Sequence, residues 1–133
     1  MARVNTIGVG IDLVEVKRVE DMLERKGERV LQKLLTDRER GYCMRQAAVG
    51  QHVAARIAAK EAAYKSLQLR DDARAIGWRD IEVVRRRDGG PTIEFHGLAK
   101  RIAEECSVSQ VLVSLSHTSS QAAGVVILLG SSR

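Results

Sequence analysis

The sequence predicts an α+β fold in which a long alanine-rich helix packs on a mainly antiparallel sheet. Three observations support this prediction. They are an apolar, glycine-punctuated stretch near the start, an alanine-rich segment with helical spacing, and short apolar runs between turn residues in the C-terminal half. With 133 residues the chain has the length of one ordinary domain. We therefore expect a single domain over residues 1–133, with a core over about residues 4–129.

The first predicted elements are a strand and an amphipathic helix. Residues 7–14 indicate a buried strand, because every residue of the run is apolar or glycine except Asp12. The glycines indicate a close backbone approach or a bulge. A helix with one apolar face follows over about residues 15–26, and Gly27 is expected to end it. Residues 36–39 match a capping box, which indicates the start of another helix.

The central helix is predicted over about residues 46–67. This segment is rich in alanine, contains no proline, and has its single glycine, Gly50, near the start. Its small side chains allow another element to pack closely against it. Residues 70–77 are expected to form a loop.

The C-terminal half predicts strands and one short helix. The sequence Asp-Gly-Gly-Pro at residues 88–91 is a strong turn signal between two strand candidates. The predicted elements are strands at 81–84 and 92–95, a helix at 98–106, and strands at 111–115 and 122–129.

Composition excludes several classes of protein. Hydrophobic residues make up 44% of the chain and charged residues 29%, values that exclude a disordered or fibrous protein. The aromatic content of 3% argues against a protein that stacks single-stranded nucleic acid on aromatic side chains. The net charge of +5 favours an anionic partner. No apolar run approaches the ~20 residues that cross a bilayer, so no membrane association is expected.

The two cysteines, Cys43 and Cys106, lack metal-ligand spacing, so structural zinc is not expected. No secretory segment is recognisable at the start of the sequence. We therefore expect a cytoplasmic location with both thiols free.

Asp12 is a candidate for chemistry because a carboxylate within an apolar strand is costly unless it is paired, hydrogen-bonded or bound to a metal. The alternative is that the strand ends at Ile11 and Asp12 caps the following helix. Residue types alone favour neither.

Glu61 and Lys65 are four residues apart, on one face of the central helix. This spacing commonly gives a surface ion pair. The functional alternative is a carboxylate that holds a hard cation beside an ammonium that holds phosphate. Mg²⁺ is usually bound by one or two carboxylates with substrate phosphate oxygens, so Asp12 and Glu61 would suffice.

His117, at a strand end among hydroxyl residues, is a candidate phosphate donor. Catalysis by a Ser116–His117 pair is disfavoured, because adjacent side chains of a strand point to opposite faces. His52 and His96 have no other candidate site residues near them in the sequence and are interpreted as ordinary helix or strand residues without a functional role. The stretch at residues 8–13 is not a dinucleotide-binding motif, since Leu13 replaces its third glycine, and no Walker motif is present.

These segments, taken together and in order, resemble the holo-[acyl-carrier-protein] synthase family, the small 4′-phosphopantetheinyl transferases. The resemblance covers about residues 4–129. It is carried by residues 8–18, 35–39 with Tyr42-Cys43, 54–65 and 114–118, and is supported by Trp78, residues 81–83 and Gly90-Pro91.

The resemblance implies Mg²⁺-dependent transfer of the 4′-phosphopantetheine arm from coenzyme A to a serine of apo acyl carrier protein, which releases adenosine 3′,5′-bisphosphate. It implies a homotrimer with active sites at the subunit interfaces. The implied residue roles are Asp12 and Glu61 as Mg²⁺ ligands, Lys65 on the pyrophosphate, Ser116 and His117 on the coenzyme A phosphate side, Gly90 and Pro91 at the nucleotide, and Arg18 on the carrier protein.

Displacement at phosphorus by a serine hydroxyl demands charge neutralisation and a proton acceptor, and Glu61 is our candidate acceptor. The chain departs from the family at residues 66–72, where a glycine-rich turn is usual, and Arg70 is a possible substitute donor to phosphate. Three alternatives stay open at this point: a small basic nucleic-acid-binding module, a non-catalytic assembly subunit, and a Mg²⁺-dependent phosphohydrolase.

Overall fold

A computed structural model describes residues 3–131, which form five strands, five α-helices and two short 3₁₀ segments. The strands are β1 (Val4–Glu15), β2 (Ile81–Arg85), β3 (Pro91–Phe95), β4 (Val108–His117) and β5 (Gln121–Ser131). The helices are α1 (Val16–Lys26), α2 (Glu28–Leu34), α3 (Asp37–Met44), α4 (Val49–Ser66) and α5 (Gly97–Glu105). The 3₁₀ segments are Asp71–Ala75 and Trp78–Asp80.

The strands form two antiparallel sheets. One has three strands in the order β1-β5-β4, and the other is the β2–β3 hairpin. The predicted α+β class and the antiparallel pairing are therefore confirmed. Two details differ from the prediction: the strands divide between two sheets, and the expected loop over 70–77 contains a 3₁₀ segment.

Helix α4 lies very close to the three-stranded sheet because glycines on β1 and β5 leave room for its backbone. A Cβ atom on Gly10 would lie 1.7 Å from the carbonyl oxygen of Ala62, and one on Gly124 would lie 2.8 Å from the amide nitrogen of Ala59. The pairing of β1 with β5 also shifts between Thr6 and Gly8. Close approach and an irregular register, the two alternatives predicted for this strand, are both present.

The predicted capping box is present at the start of α3, and it leads into a buried ionic network. Thr36 caps the helix, and its amide donates to the Glu39 carboxylate at 2.9 Å. The same buried carboxylate accepts from the Lys60 ammonium on α4 and from the Val83 amide on β2. One side chain thereby ties α3, α4 and the hairpin together.

The prediction that β1 is buried is wrong for one of its faces. Residues 8, 10 and 12 face α4, whereas the side chains that alternate with them, Val9, Ile11 and Leu13, are 58%, 64% and 69% exposed. These high exposures show that no described element covers this face of β1. The result is an apolar outer face on the sheet, which we call the open face.

Within residues 3–131, no helix has the length and apolar character that crossing a membrane requires.

Candidate active site

Asp12 and Lys65 join β1 to α4. The Lys65 ammonium donates to Asp12 Oδ1 at 2.9 Å and to the Ile11 carbonyl oxygen at 3.0 Å. The strand continues through Asp12 to Glu15, so the alternative in which Asp12 caps the following helix is wrong. Lys65 therefore forms its ion pair with Asp12 across two elements, and not with Glu61 on the surface of α4.

Glu61 lies one helical turn before Lys65 and faces the same carboxylate. Burial raises the pKa of Glu61, the charge of Asp12 raises it further, and Lys65 opposes the change. Both carboxylates line one groove of about 770 Å³. Two hard oxygen donors that repel each other in an open groove match the donors that Mg²⁺ takes from proteins, so these residues fit the implied ion.

The groove continues along α1, where its charge is mainly basic. Arg18, Arg25 and Lys26 line it, with Asp21 as an acidic neighbour. Its apolar part is formed by Met22, Leu34, Ile57 and Trp78. The basic α1 side of the groove, next to its apolar floor, suits an acidic protein surface that carries a few apolar contacts.

A smaller cavity of about 340 Å³ opens on the other side of Glu61. Its apolar lining comes from Tyr64, Ile76, Trp78 and Ile81. Glu61 and Trp78 line both spaces, so the carboxylate lies where the groove and the smaller cavity meet.

A second functional feature is a group of five side chains around His117, which we call the cationic cluster: Tyr42, His52, Arg56, Arg85 and His117. The His52 ring packs edge-on against His117, with centroids 5.2 Å apart, and against Tyr42 at 5.8 Å. The Arg56 guanidinium lies 4.2 Å above the Tyr42 ring, and Arg85 Nη1 donates to the Tyr42 hydroxyl at 3.1 Å.

The cationic cluster lacks an acidic partner within residues 3–131. Neither Arg56 nor Arg85 forms a salt bridge there, and Arg56 is buried with its Nε atom unpaired. Burial, followed by the charges of Arg56, His117 and Arg85, lowers the pKa of His52. Unpaired, partly desolvated positive groups of this kind are suited to bind an anion.

The predicted site residues fall into two groups. Asp12, Glu61, Lys65 and Arg18 lie together at the groove. Pro91, which follows Gly90, pairs in register with Arg85, whose guanidinium reaches Tyr42 of the cationic cluster; His117 belongs to that cluster. Ser116 lies on the open face, opposite to His117. His52 and Glu61 are separated on α4 by roughly 13 Å, from the helical rise per residue.

A different set of metal-ligating side chains, Glu82, Glu94 and His96, also lies close together. The Arg38 guanidinium already bridges this set, at 2.7 Å from Glu82 Oε1 and 3.1 Å from Glu94 Oε1. Hydrogen bonds from Arg38, with others from Thr36 and His96, lower the pKa of Glu82 to about 2. This set is therefore an ion-pair network and not part of the predicted metal site.

Comparison with known proteins decides the family. The sequence model of the 4′-phosphopantetheinyl transferase superfamily matches residues 8–126, which is most of the chain. The holo-[acyl-carrier-protein] synthase of Desulforudis audaxviator is 40% identical over 126 residues, which cover 95% of each chain. This chain belongs to the holo-[acyl-carrier-protein] synthase family of 4′-phosphopantetheinyl transferases.

Solved structures of the family have the same fold. The crystal structure of the Plasmodium yoelii holo-ACP synthase superposes with a TM-score of 0.81 at 26% identity, covering 98% of this chain and 99% of that one. The Bacillus anthracis synthase, solved in complex with coenzyme A (3′,5′-ADP), gives a TM-score of 0.75 at 28% identity, covering 95% of this chain and 98% of that one. The chain is thus a transferase of this family, and the nucleic-acid-binding and non-catalytic alternatives are wrong.

Sequence reasoning missed most of this synthase's cationic cluster. His52 was interpreted as an ordinary helix residue, and neither Arg56 nor Arg85 was assigned a role. The five side chains come from α3, α4, β2 and β4, so no local spacing connects them. The available signal was the position of Tyr42 and Arg56 in stretches that carry the family resemblance.

Arg70, in the unusual 66–72 segment, already has carboxylate partners, so it is not free to donate to a phosphate as the sequence analysis suggested. Its guanidinium donates to Asp72 at 2.7 and 2.8 Å and forms a salt bridge with Glu105 at 2.7 Å. These carboxylates raise its pKa further above the ordinary range. The turn after α4 in this synthase is therefore held by ion pairs, and the proposed substitution of Arg70 as a phosphate donor is not supported.

Proposed function

We propose that this synthase transfers the 4′-phosphopantetheine arm of coenzyme A to a serine hydroxyl of an apo acyl carrier protein and releases adenosine 3′,5′-bisphosphate. The observation that carries the proposal is the convergence of Asp12, Glu61 and Lys65 beside a groove to which α1 contributes basic side chains. The relative from Bacillus anthracis was solved with coenzyme A (3′,5′-ADP), which supports the same donor here.

In the proposed reaction the serine oxygen forms a bond to the β-phosphorus of coenzyme A, the one that bears the pantetheine arm. The bond from that phosphorus to the bridging oxygen breaks, and the nucleotide leaves with the bridging oxygen. Asp12 and Glu61 would hold Mg²⁺, which when bound supplies neutralisation of the diphosphate charge. Lys65 adds a positive charge from the same corner, since its half-exposed ammonium is free to turn from Asp12 to a phosphate oxygen.

Glu61 is proposed to accept the serine proton, directly or through a water molecule. Its position between the groove and the smaller cavity is consistent with this role, because the two substrates must approach it from different sides.

The carrier protein is proposed to dock along α1 at Arg18, with Arg25 and Lys26 on the same groove. Complementary charge on an acidic partner would speed association and orient it, and salt would weaken it. The nucleotide end of coenzyme A is proposed to lie at His117, Ser116, Gly90 and Pro91, beside the cationic cluster.

The proposed oligomer is a homotrimer in which the open face contacts a neighbouring copy. Val9, Ile11 and Leu13 are exposed there, and Leu112 on β4 lies in the same row as Val9 through Ile127. An apolar face of this kind is typical of a subunit interface. Active sites at the interface would also bring Ser116, which lies on the open face, toward a bound nucleotide.

The deciding experiment is mass spectrometry of apo acyl carrier protein incubated with the synthase, coenzyme A and Mg²⁺. We expect the mass of one phosphopantetheine to be added to the carrier protein, equal release of adenosine 3′,5′-bisphosphate, and loss of both with a chelator. Release of inorganic phosphate without a change in carrier mass would instead support a phosphohydrolase. The cytoplasmic location stays a prediction.

A further inference from the structure

We propose that His52 is a positioning residue for His117 that takes up a proton when a phosphate group binds at the cationic cluster. This inference rests on the proposed function, since the ligand it concerns is the nucleotide end of coenzyme A. Its consequence is that the affinity for that nucleotide increases as the pH falls.

The geometry places His52 at the centre of the cationic cluster. Its ring lies between Tyr42 and His117, in edge contact with both. Tyr42 is held in turn by Arg56 against its ring and by Arg85 at its hydroxyl. His117 therefore packs on one side against a row of rings that begins at two arginines.

The charges around His52 are all positive or neutral. Arg56 on α4, Arg85 on β2 and His117 on β4 face it with basic groups, and Tyr42 on α3 presents a neutral ring. Burial, followed by the charges of these basic groups, lowers the pKa of His52, which keeps its imidazole neutral near neutral pH in the unliganded protein. The Nε of buried Arg56 has no hydrogen-bond partner within the described chain.

A bound phosphate reverses this balance. Its negative charge beside His117 offsets the arginines and favours the protonated form of His52, so the pKa of His52 rises on binding. A group whose pKa is higher in the complex adds to affinity below its unliganded pKa, and that addition is lost as the pH rises through the pKa of the complex. Since histidine titrates near neutral pH, the effect falls within the physiological range.

The test measures binding of adenosine 3′,5′-bisphosphate by isothermal titration calorimetry at about pH 6 and about pH 8. The variant H52F keeps a ring between Tyr42 and His117 but cannot take up a proton. We expect H52F to bind within about twofold of wild type at the higher pH and about three- to fivefold more weakly at the lower pH, because a pKa rise approaching one unit gives its full effect of about tenfold only well below the unliganded pKa. Titration of the ligand's own phosphates affects both proteins equally and cancels in the ratio.

Proton uptake gives a second readout that a merely structural role would not change. Calorimetry in two buffers of different ionisation enthalpy counts the protons bound with the nucleotide, and we expect this count to fall in H52F. H52Q serves if H52F does not fold. H96Q is the matched control, since His96 lies in the Glu82 network and should leave the count unchanged.

Three results would each overturn the proposal. They are a ratio of wild-type to H52F affinity that does not change with pH, a proton count that is the same in H52F as in wild type, and no binding of the nucleotide by wild type. Its failure is distinguishable from that of the proposed function. If the synthase modifies the carrier protein but the affinity ratio does not change with pH, only the proposed role of His52 is wrong. If nucleotide binding takes up a proton through His52 but no phosphopantetheine is transferred, the role of His52 is supported and the proposed function is contradicted.

Discussion

The ammonium of Lys65 lies 2.9 Å from Asp12 Oδ1, so a helix and a strand that are distant in sequence are joined at the proposed reaction centre. The exposed fractions of the two side chains are 50% and 20%, and an ion pair this open contributes at most about 1 kcal/mol to stability. Its importance is therefore expected in catalysis, where Lys65 and the two carboxylates must act together.

The variants D12N and E61Q each remove one negative charge and nearly preserve side-chain volume. We expect each to reduce transfer of phosphopantetheine at least about a hundredfold, since each deletes an oxygen donor that stabilises the reacting phosphate charge. The measurement is the initial rate of mass gain on apo acyl carrier protein, with circular dichroism to verify the fold. E15Q is the control, because Glu15 lines the same groove but carries no assigned role. A folded D12N variant that retains about a tenth or more of the wild-type rate would contradict the assignment of Asp12 as a metal ligand.

Arg18 tests the docking groove. We expect R18A to raise the KM for the carrier protein about five- to tenfold with little change in kcat, because a rim charge acts mainly on association. The same variant should reduce the dependence of the rate on salt.

The control for Arg18 is K17A, since Lys17 is the adjacent basic residue on α1 but is 81% exposed and pairs with Asp21. K17A removes an equal charge from the protein as a whole. Equal KM increases in R18A and K17A would assign the effect to net charge and argue against a docking role for Arg18.

Much of the fold could be predicted because its signals are local. The alanine-rich run fixed α4, the Asp-Gly-Gly-Pro turn fixed the β2–β3 hairpin, and residues 36–39 fixed the start of α3. Asp12 was identifiable for a similar reason, since a single carboxylate interrupts an apolar strand.

The remaining features depend on contacts between distant segments. An apolar side chain such as Ile11 has the same sequence signal whether it is buried by its own chain or exposed for another copy, so the open face could not be distinguished from core. His52 joins His117 only because α4 crosses the end of β4. The spacing of residues along the sequence does not indicate that these two elements cross.

The open face predicts self-association. We expect wild type to sediment at about three times the 14.7 kDa chain mass, and V9D to shift toward the single-chain mass, because a carboxylate within an apolar interface is costly. Analytical ultracentrifugation measures both. L69D is the control, since Leu69 is also an exposed apolar residue, at 41%, but follows α4 and is outside the sheet. A wild-type protein that sediments as a single chain would remove the proposed interface.

Gly10 tests the close packing of β1 on α4. We expect G10A to lower the free energy of unfolding by about 2–3 kcal/mol, because its methyl group would overlap the Ala62 carbonyl oxygen. G41A is the matched control: a Cβ there has ordinary contacts within α3, and alanine favours a helix, so we expect a gain of about 0.5–1 kcal/mol. Urea unfolding measures both, and a G10A protein as stable as wild type would contradict the packing.

Glu82 predicts how stability changes in acid. Its folded-state pKa is lowered from 4.5 to about 2, chiefly by the hydrogen bonds from Arg38, so the carboxylate binds a proton less readily folded than unfolded. Its contribution to stability is therefore present above about pH 4.5 and is lost as the pH falls through about 2, and the shift is worth up to about 3 kcal/mol.

The variant E82Q replaces the buried carboxylate of the network with an amide that does not titrate. We expect the unfolding free energy of wild type to fall more steeply than that of E82Q between about pH 5 and about pH 2, by up to about 3 kcal/mol. Glu94 supplies the control, because its side chain also pairs with Arg38 but is 48% exposed, so E94Q should change the acid dependence by less than about 1 kcal/mol. Parallel acid dependences in wild type and E82Q would show that Arg38 does not hold this carboxylate ionised.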